Sequence, residues 1–308
     1  MIPLRFVVAA AVALVSLSPR RAPAQPHVAL PPVNLGASSF MDGAGGPGLL
    51  VREALSLVDA PRFAGPGGQT LPGGQSLVAF SAITHVGYTL PFKVLGGFWG
   101  AEILIPVVHV DVKTPVGNGS TTGVGDIAWS VLVFQAPDLR LLGRPFLHRL
   151  DVDVIAPTGQ YDRDALASAG SHVWSVNPYY AFTWLFSERL ETSFRVHYLW
   201  SSVNDAPGPG YMAASIQPGQ AIHLNGALSF GATRGLRAGV AGYFLQQITD
   251  SRAGGHAVSG SRERVAALGP GFLATVGGAQ LFADAYWEFA VENRPAGARL
   301  ALSALRVW

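Results

Sequence analysis

The chain has 308 residues, no cysteine, 49% hydrophobic and 13% charged residues, and 21 basic against 19 acidic side chains. No disulfide can staple it, and a balance this close to neutral leaves no basic stripe for nucleic acid. Mean hydropathy is positive at +0.30, yet beyond residue 17 no apolar run approaches the roughly twenty residues that a membrane helix takes, so the hydrophobicity is interleaved along the chain.

Arg5 precedes an apolar run from Phe6 to about Leu17, and Ala22-Pro23-Ala24 stands before Gln25. That order is expected of a secretory signal peptide with an A-x-A cleavage site, spanning residues 1–24. Roughly twelve apolar residues are too few to span a bilayer. Arg20 and Arg21 follow the run, unlike a twin-arginine signal. Losing Arg5, Arg20 and Arg21 takes the 21 basic residues to 18 against 19 acidic ones, so the apparent basicity leaves with the signal.

Residues 25–47 are rich in Gly, Pro and Ser around NLGASSFMDGAGGPG, and no regular element is expected there. This leader could be a periplasmic tail. It could instead plug a lumen, with Asn34, Phe40 and Asp42 as its contacts. Twelve strands are predicted after it, near 48–58, 75–86, 97–110, 122–135, 145–156, 171–184, 188–201, 219–231, 236–249, 262–275, 279–291 and 297–308. The clearest is ERLETSFRVHYLW at 188–200. Arg189, Glu191, Ser193, Arg195 and His197 alternate with Leu190, Phe194, Val196, Tyr198 and Trp200. Successive strand side chains point to opposite faces, so the segment has one wet and one greasy side.

Other strands sort in the same way. Arg149, Asp151 and Asp153 alternate with Leu150, Val152 and Val154, and His223, Asn225 and Ser229 with Ile222, Leu224, Leu228 and Phe230. Gln280, Asp284 and Glu288 oppose Leu281, Ala285, Trp287 and Phe289. The connections alternate between longer, polar ones and short ones, as outer loops and periplasmic turns do in outer-membrane barrels. Ala136–Arg144 is long for a turn and Glu292–Ala296 short for a loop. Trp174, Trp184, Trp200 and Trp287 fall near strand ends, where interfacial girdles form. The last strand ends on Trp308, similar to the assembly signal read by the barrel assembly machinery, although Arg306 interrupts its apolar face.

The fold expected is all-β, a transmembrane antiparallel up-and-down barrel of about twelve strands, of the outer-membrane type and in contact with outer-membrane lipid. The alternation by itself also fits a soluble sandwich. NLGASSFMDGAGGPG, DVDVIAPTGQYD and NPYYAFTWLFSERLETSFRVHYLW resemble the outer-membrane proteins grouped as the MetA-pathway of phenol degradation family. The resemblance implies a channel for small hydrophobic or aromatic solutes, and it brings no catalytic motif.

Twelve strands lie between barrels filled by their own side chains and those with aqueous channels. Arg149, Asp151, Asp153, Glu191, Arg195, His197, His223, Asp284 and Glu288 are predicted to face the lumen and line a solute path. Alternatively, these charges plug the interior by pairing, and Glu191 with Arg195 or Asp151 with Arg149 could pair along single strands. A rim hydrolase drafting His172 with Ser171, or Asp162 with Asp164, remains open as a rival, as does an adhesive barrel. An enzyme is not expected, because nothing in the sequence brings nucleophile, base and orienter together. No cofactor or metal is expected. The eight histidines do not cluster at metal-ligand spacing, and the G-x-G-x-x-A match at Gly208–Ala213 lies in a proline-bearing loop with no helix to follow.

Overall fold

The computed structural model describes residues 27–137 and 139–308. The expected signal peptide lies outside the described residues. The alternating segments form a closed antiparallel barrel of twelve spans. They are β1 (Gly48–Ala64), β2 (Ser76–Val94), β3 (Gly97–Thr114), β4 (Gly117–Val124 continued by Ala128–Gln135), β5 (Arg144–Ile155) and β6 (Ser175–Leu185). There follow β7 (Leu190–Ser201), β8 (Ala221–Gly231), β9 (Leu236–Gln247), β10 (Arg264–Val276), β11 (Ala279–Glu292) and β12 (Arg294–Val307). Each pairs with its neighbour in sequence, and β1 closes on β12 from Leu50↔Val307 to Ala64↔Arg294. Closure removes the sheet edges that would otherwise expose unpaired backbone to lipid.

Three hairpins at one end turn on two residues with positive φ, Leu95-Gly96, Leu142-Gly143 and Gly277-Gly278. Positive φ at both central positions is the type I′ turn, whose twist matches that of the strands it joins. The other end carries the long connections 65–75, 156–174, 202–220 and 248–263.

Five details depart from the sequence reading. β2, expected to end near residue 86, runs on to Val94. β1 runs on to Ala64 through a stretch expected to be loop, because a bulge between Asp59 and Arg62 takes up Pro61, which cannot donate to the ladder. The fourth span, expected as one strand, breaks between Val124 and Ala128. Ala136–Arg144, expected as a long turn, folds into a hairpin extension in which Leu139–Leu141 pairs with Arg144–Phe146. The loop expected at Glu292–Ala296 shrinks to Asn293, at φ 54.

On β7, Glu191, Ser193 and His197 are 0%, 0% and 1% exposed, while Val196, Tyr198 and Trp200 are 41%, 38% and 38% exposed. Exposed apolar side chains on the other spans, such as Leu57, Phe80, Leu228, Leu268 and Leu302, continue this outer belt. Trp174, Trp200 and Trp287 ring the long-loop end, and Trp184, Trp99 and Trp308 the short-turn end. Val196→Arg puts a charge on the lipid face near mid-span and is expected to cost about 2–4 kcal/mol. Urea unfolding in lipid vesicles measures the cost, and a loss near zero would mean that this face does not meet lipid.

The main apolar cluster lies inside the barrel, where Leu35 and Phe40 pack with Tyr243, Leu245, Val265, Ala267, Tyr286 and Val291 of β9–β11. The core is built jointly by the wall and the leader.

Candidate functional site

The leader forms no strand between His27 and Pro47 and keeps contact with inward-facing wall residues along its length. At the long-loop end Glu263 Oε1 accepts the Leu30 N–H at 2.7 Å and lies 3.1 Å from His27 Nε2, while Ser251 Oγ donates to the Val28 carbonyl at 3.1 Å. Val28 is buried among Ile216 and Ala253 of the outer loops. Lower down, Asn225 Oδ1 accepts the Gly36 N–H at 2.7 Å and Asn225 Nδ2 donates to the Asn34 carbonyl at 3.0 Å. Arg52 Nη2 donates to the Ala37 carbonyl at 2.5 Å. Thr183 Oγ1 accepts the Gly43 N–H at 2.9 Å, and Gln135 Nε2 donates to the Gly43 carbonyl at 3.1 Å. The segment therefore threads the lumen from the long loops to the short-turn end, where β1 begins. A β-carbon on Gly43 would lie 2.3 Å from Thr183 N and 2.4 Å from the Leu147 carbonyl, so only glycine lets the leader lie this close to the wall.

Each predicted lumen residue faces inward, and strand register arranges several of them in rows. One row runs Gln135, Arg149, Ala181, Arg195, Asn225, Tyr243, and the next runs Val133, Asp151, Tyr179, His197, His223, Leu245. Asp151 accepts the Tyr179 hydroxyl at 2.7 Å, and Asp153 the Ser130 hydroxyl at 2.5 Å. Glu191 accepts from Ser193 at 2.8 Å and Ser229 at 2.5 Å. His223 Nε2 lies 3.2 Å from Asn177 Oδ1. Asp284 is buried with Oδ1 unpartnered beside Phe40, and both reach the space that a β-carbon on Gly271 would fill. Glu288 accepts the Tyr243 hydroxyl at 2.7 Å and the Gly297 N–H at 3.0 Å.

The local ion pairs considered from sequence are not formed. Arg195 is held by Asp42 of the leader through two hydrogen bonds, Nε to Oδ2 at 2.8 Å and Nη2 to Oδ1. Glu191 is held by the Ser193 and Ser229 hydroxyls instead, because Arg195 stands four positions along the strand, about 13 Å away at roughly 3.3 Å per residue. Residues not singled out from sequence also matter here. Tyr179 sits under both Arg149 and Arg195, and Glu102 bonds His85 at 2.6 Å. Nothing in the sequence marked the Tyr179 ring as a shared platform.

The residues drafted for a rim hydrolase are engaged otherwise. Ser171 Oγ donates to Asp126 at 2.5 Å, and His172 stacks on Tyr161 with Nε2 3.5 Å from Asp205. Asp162 accepts the Asp164 N–H at 2.9 Å as a turn cap. Among the described residues no hydrogen bond joins Ser171 to His172.

The broken fourth span shapes the wall beside this lumen. Its upper half, Gly117–Val124, pairs with β3, while the lower half pairs with both β3 and β5. Loop 156–174 covers the upper half's other edge through a Gln160 N–H to Val124 carbonyl bond of 3.0 Å. Asp126 pins that loop, accepting the Gly159 and Ser171 N–H groups at 2.9 and 2.8 Å. Asp126→Ala is expected to raise trypsin cleavage at Arg163 at least several-fold without unfolding the barrel. Unchanged cleavage would mean that Asp126 does not hold the loop.

Known proteins share this architecture. A COG4313 outer membrane channel from Pseudomonas putida F1 superposes with a TM-score of 0.76 at 17% identity, over 88% of this chain and 99% of that one. The translocator domain of the autotransporter NalP from Neisseria meningitidis gives 0.51 at 11% identity, over 89% and 94%. No curated protein matches the sequence. These likenesses establish the fold of an outer-membrane barrel. The model of the family described as "Putative MetA-pathway of phenol degradation" matches residues 60–304, and the chain belongs to that family.

Proposed function

We propose that the protein is a passive outer-membrane channel for small hydrophobic or aromatic compounds. The observation that carries this reading is that the lumen is occupied by a segment without secondary structure, held to the wall by separate hydrogen bonds, rather than by wall side chains alone. Such a filling can leave or shift without disturbing the ladder, since strand pairing does not depend on it. The inward faces that hold Arg149, Asp151, Asp153, Glu191, Arg195, His197, His223, Asp284 and Glu288 then border the route, and Asn34, Phe40 and Asp42 belong to the part that closes it. The family's name and the description of the Pseudomonas putida protein as an outer membrane channel support the same reading. Trp308 closes the β1–β12 seam through paired backbone bonds to Leu49 of 3.0 Å, with Arg306 5.1 Å from its ring centroid, and this terminal strand is the proposed contact for the assembly machinery.

The test is entry of a small aromatic and of a sugar of similar size into vesicles carrying refolded protein, with and without residues 27–47. The intact chain is expected to admit the aromatic selectively, and the shortened chain to admit both at least tenfold faster. If neither solute enters through either form, the channel reading fails.

A further inference from the structure

Arg149 on β5 and Arg195 on β7 flank Ala181 in one register row. The small side chain between them lets both guanidiniums lie over the ring of Tyr179, at 5.4 and 4.4 Å from its centroid. Arg195 is buried and forked onto the Asp42 carboxylate. Arg149 has no such partner, and among the described residues nothing satisfies its buried Nε. In the adjoining row Tyr179, His197 and His223 stand side by side, with ring centroids 4.8 and 4.2 Å apart and the two imidazoles 12° from parallel. Both ring nitrogens of His197 and Nδ1 of His223 are buried without partners.

Buried polar atoms are nearly always paired, and each one left open costs about 1–3 kcal/mol. Here Arg149, with its open Nε, and Arg195 share the Tyr179 ring beside imidazoles with open nitrogens, and the carboxylate that Arg195 holds belongs to the leader rather than the wall. We propose that this cluster binds a small aromatic carboxylate of the benzoate class, which exchanges with the Asp42 carboxylate and so releases the leader. The proposal rests on the channel reading and names its solute. The incoming carboxylate takes the planar Arg195 fork and the free Arg149 Nε, a geometry guanidinium is built for. Its ring lies against the histidine pair in the offset arrangement that aromatic groups prefer. Asp151, Asp153 and Glu102 of the wall keep the Tyr179 hydroxyl, the Ser130 hydroxyl and His85, so once Asp42 withdraws the Arg195 fork is open to a carboxylate from outside. A neutral aromatic finds no use for the fork.

Calorimetric titration of the refolded mature protein with benzoate, benzyl alcohol and acetate tests the site. Benzoate is expected to bind at least tenfold more tightly than either of the others. Asp42→Asn is expected to tighten benzoate at least tenfold by removing the internal competitor, and Arg195→Gln to abolish binding. Far-UV circular dichroism checks that each variant is folded, and His197→Leu, which keeps the fork, is expected to weaken benzoate while leaving acetate unchanged. Equal binding of benzoate and benzyl alcohol, or no response to Asp42→Asn, overturns the proposal. Benzoate bound without vesicle entry through the intact or shortened chain would keep the site and sink the channel. Entry of both aromatics at one rate, indifferent to Asp42→Asn and Arg195→Gln, would keep the channel and sink the site.

Discussion

A chain carrying Gly45→Cys and Gln135→Cys is expected to lose at least nine-tenths of its aromatic flux when oxidised and to regain it on adding a thiol reductant. A β-carbon on residue 45 would lie 3.7 Å from Gln135 Cγ, so side chains at the two positions meet and cysteines placed there are the pair to oxidise. The protein has no other cysteine to interfere. The bridge would tie the leader's last turn to β4 near the short-turn end, below the Asp42–Arg195 pair. If solutes pass only when this segment withdraws, tethering it closes the path whatever happens to its upper half. Entry of a small aromatic into vesicles, measured before and after reduction, reads the effect directly. Unchanged flux in the oxidised protein would show that passage does not need the leader to move.

The period-two pattern made the wall legible because burial in a barrel alternates with the pleat. Glu191, Ser193 and His197 against Val196, Tyr198 and Trp200 could be sorted with no knowledge of their neighbours. The break in the fourth span could not be seen, because GVGDIAWS carries its alternation across Gly125–Ile127 and only the cap that Asp126 offers to loop 156–174 ends the ladder. The partner of Arg195 was equally hidden. Asp42 lies 153 positions away in sequence, and no local spacing rule reaches that far. Leader composition also pointed two ways, since glycine serves both free chain and close approach. At Gly43 it serves close approach, and only the Thr183 and Leu147 backbone beside it reveals this. Arg306 broke the apolar face of the last strand for a reason equally invisible from one strand, namely its place beside the Trp308 ring.

Removing the Asp42 side chain should be among the most damaging single changes on the leader. The Asp42–Arg195 pair is shielded from solvent on both sides, with side chains 9% and 10% exposed. Breaking a buried pair by deleting one partner strands the other charge, which costs about 3–5 kcal/mol, whereas replacing both with apolar groups is often close to neutral. Asp42→Ala is therefore expected to lower stability by about that amount, and the double variant Asp42→Ala with Arg195→Met to recover most of it. Urea unfolding of the four proteins in vesicles gives the coupling as a double-mutant cycle. Protease sensitivity of residues 27–47 separates loss of the leader's seat from loss of the barrel, because the strand ladder does not pass through Asp42. A single-variant cost under about 1 kcal/mol, the range of exposed ion pairs, would mean that water reaches the pair and that the leader is not seated at mid-lumen. In that case the exchange of Asp42 for a solute carboxylate would lose its energetic basis too, since a solvated guanidinium gains little by changing partners.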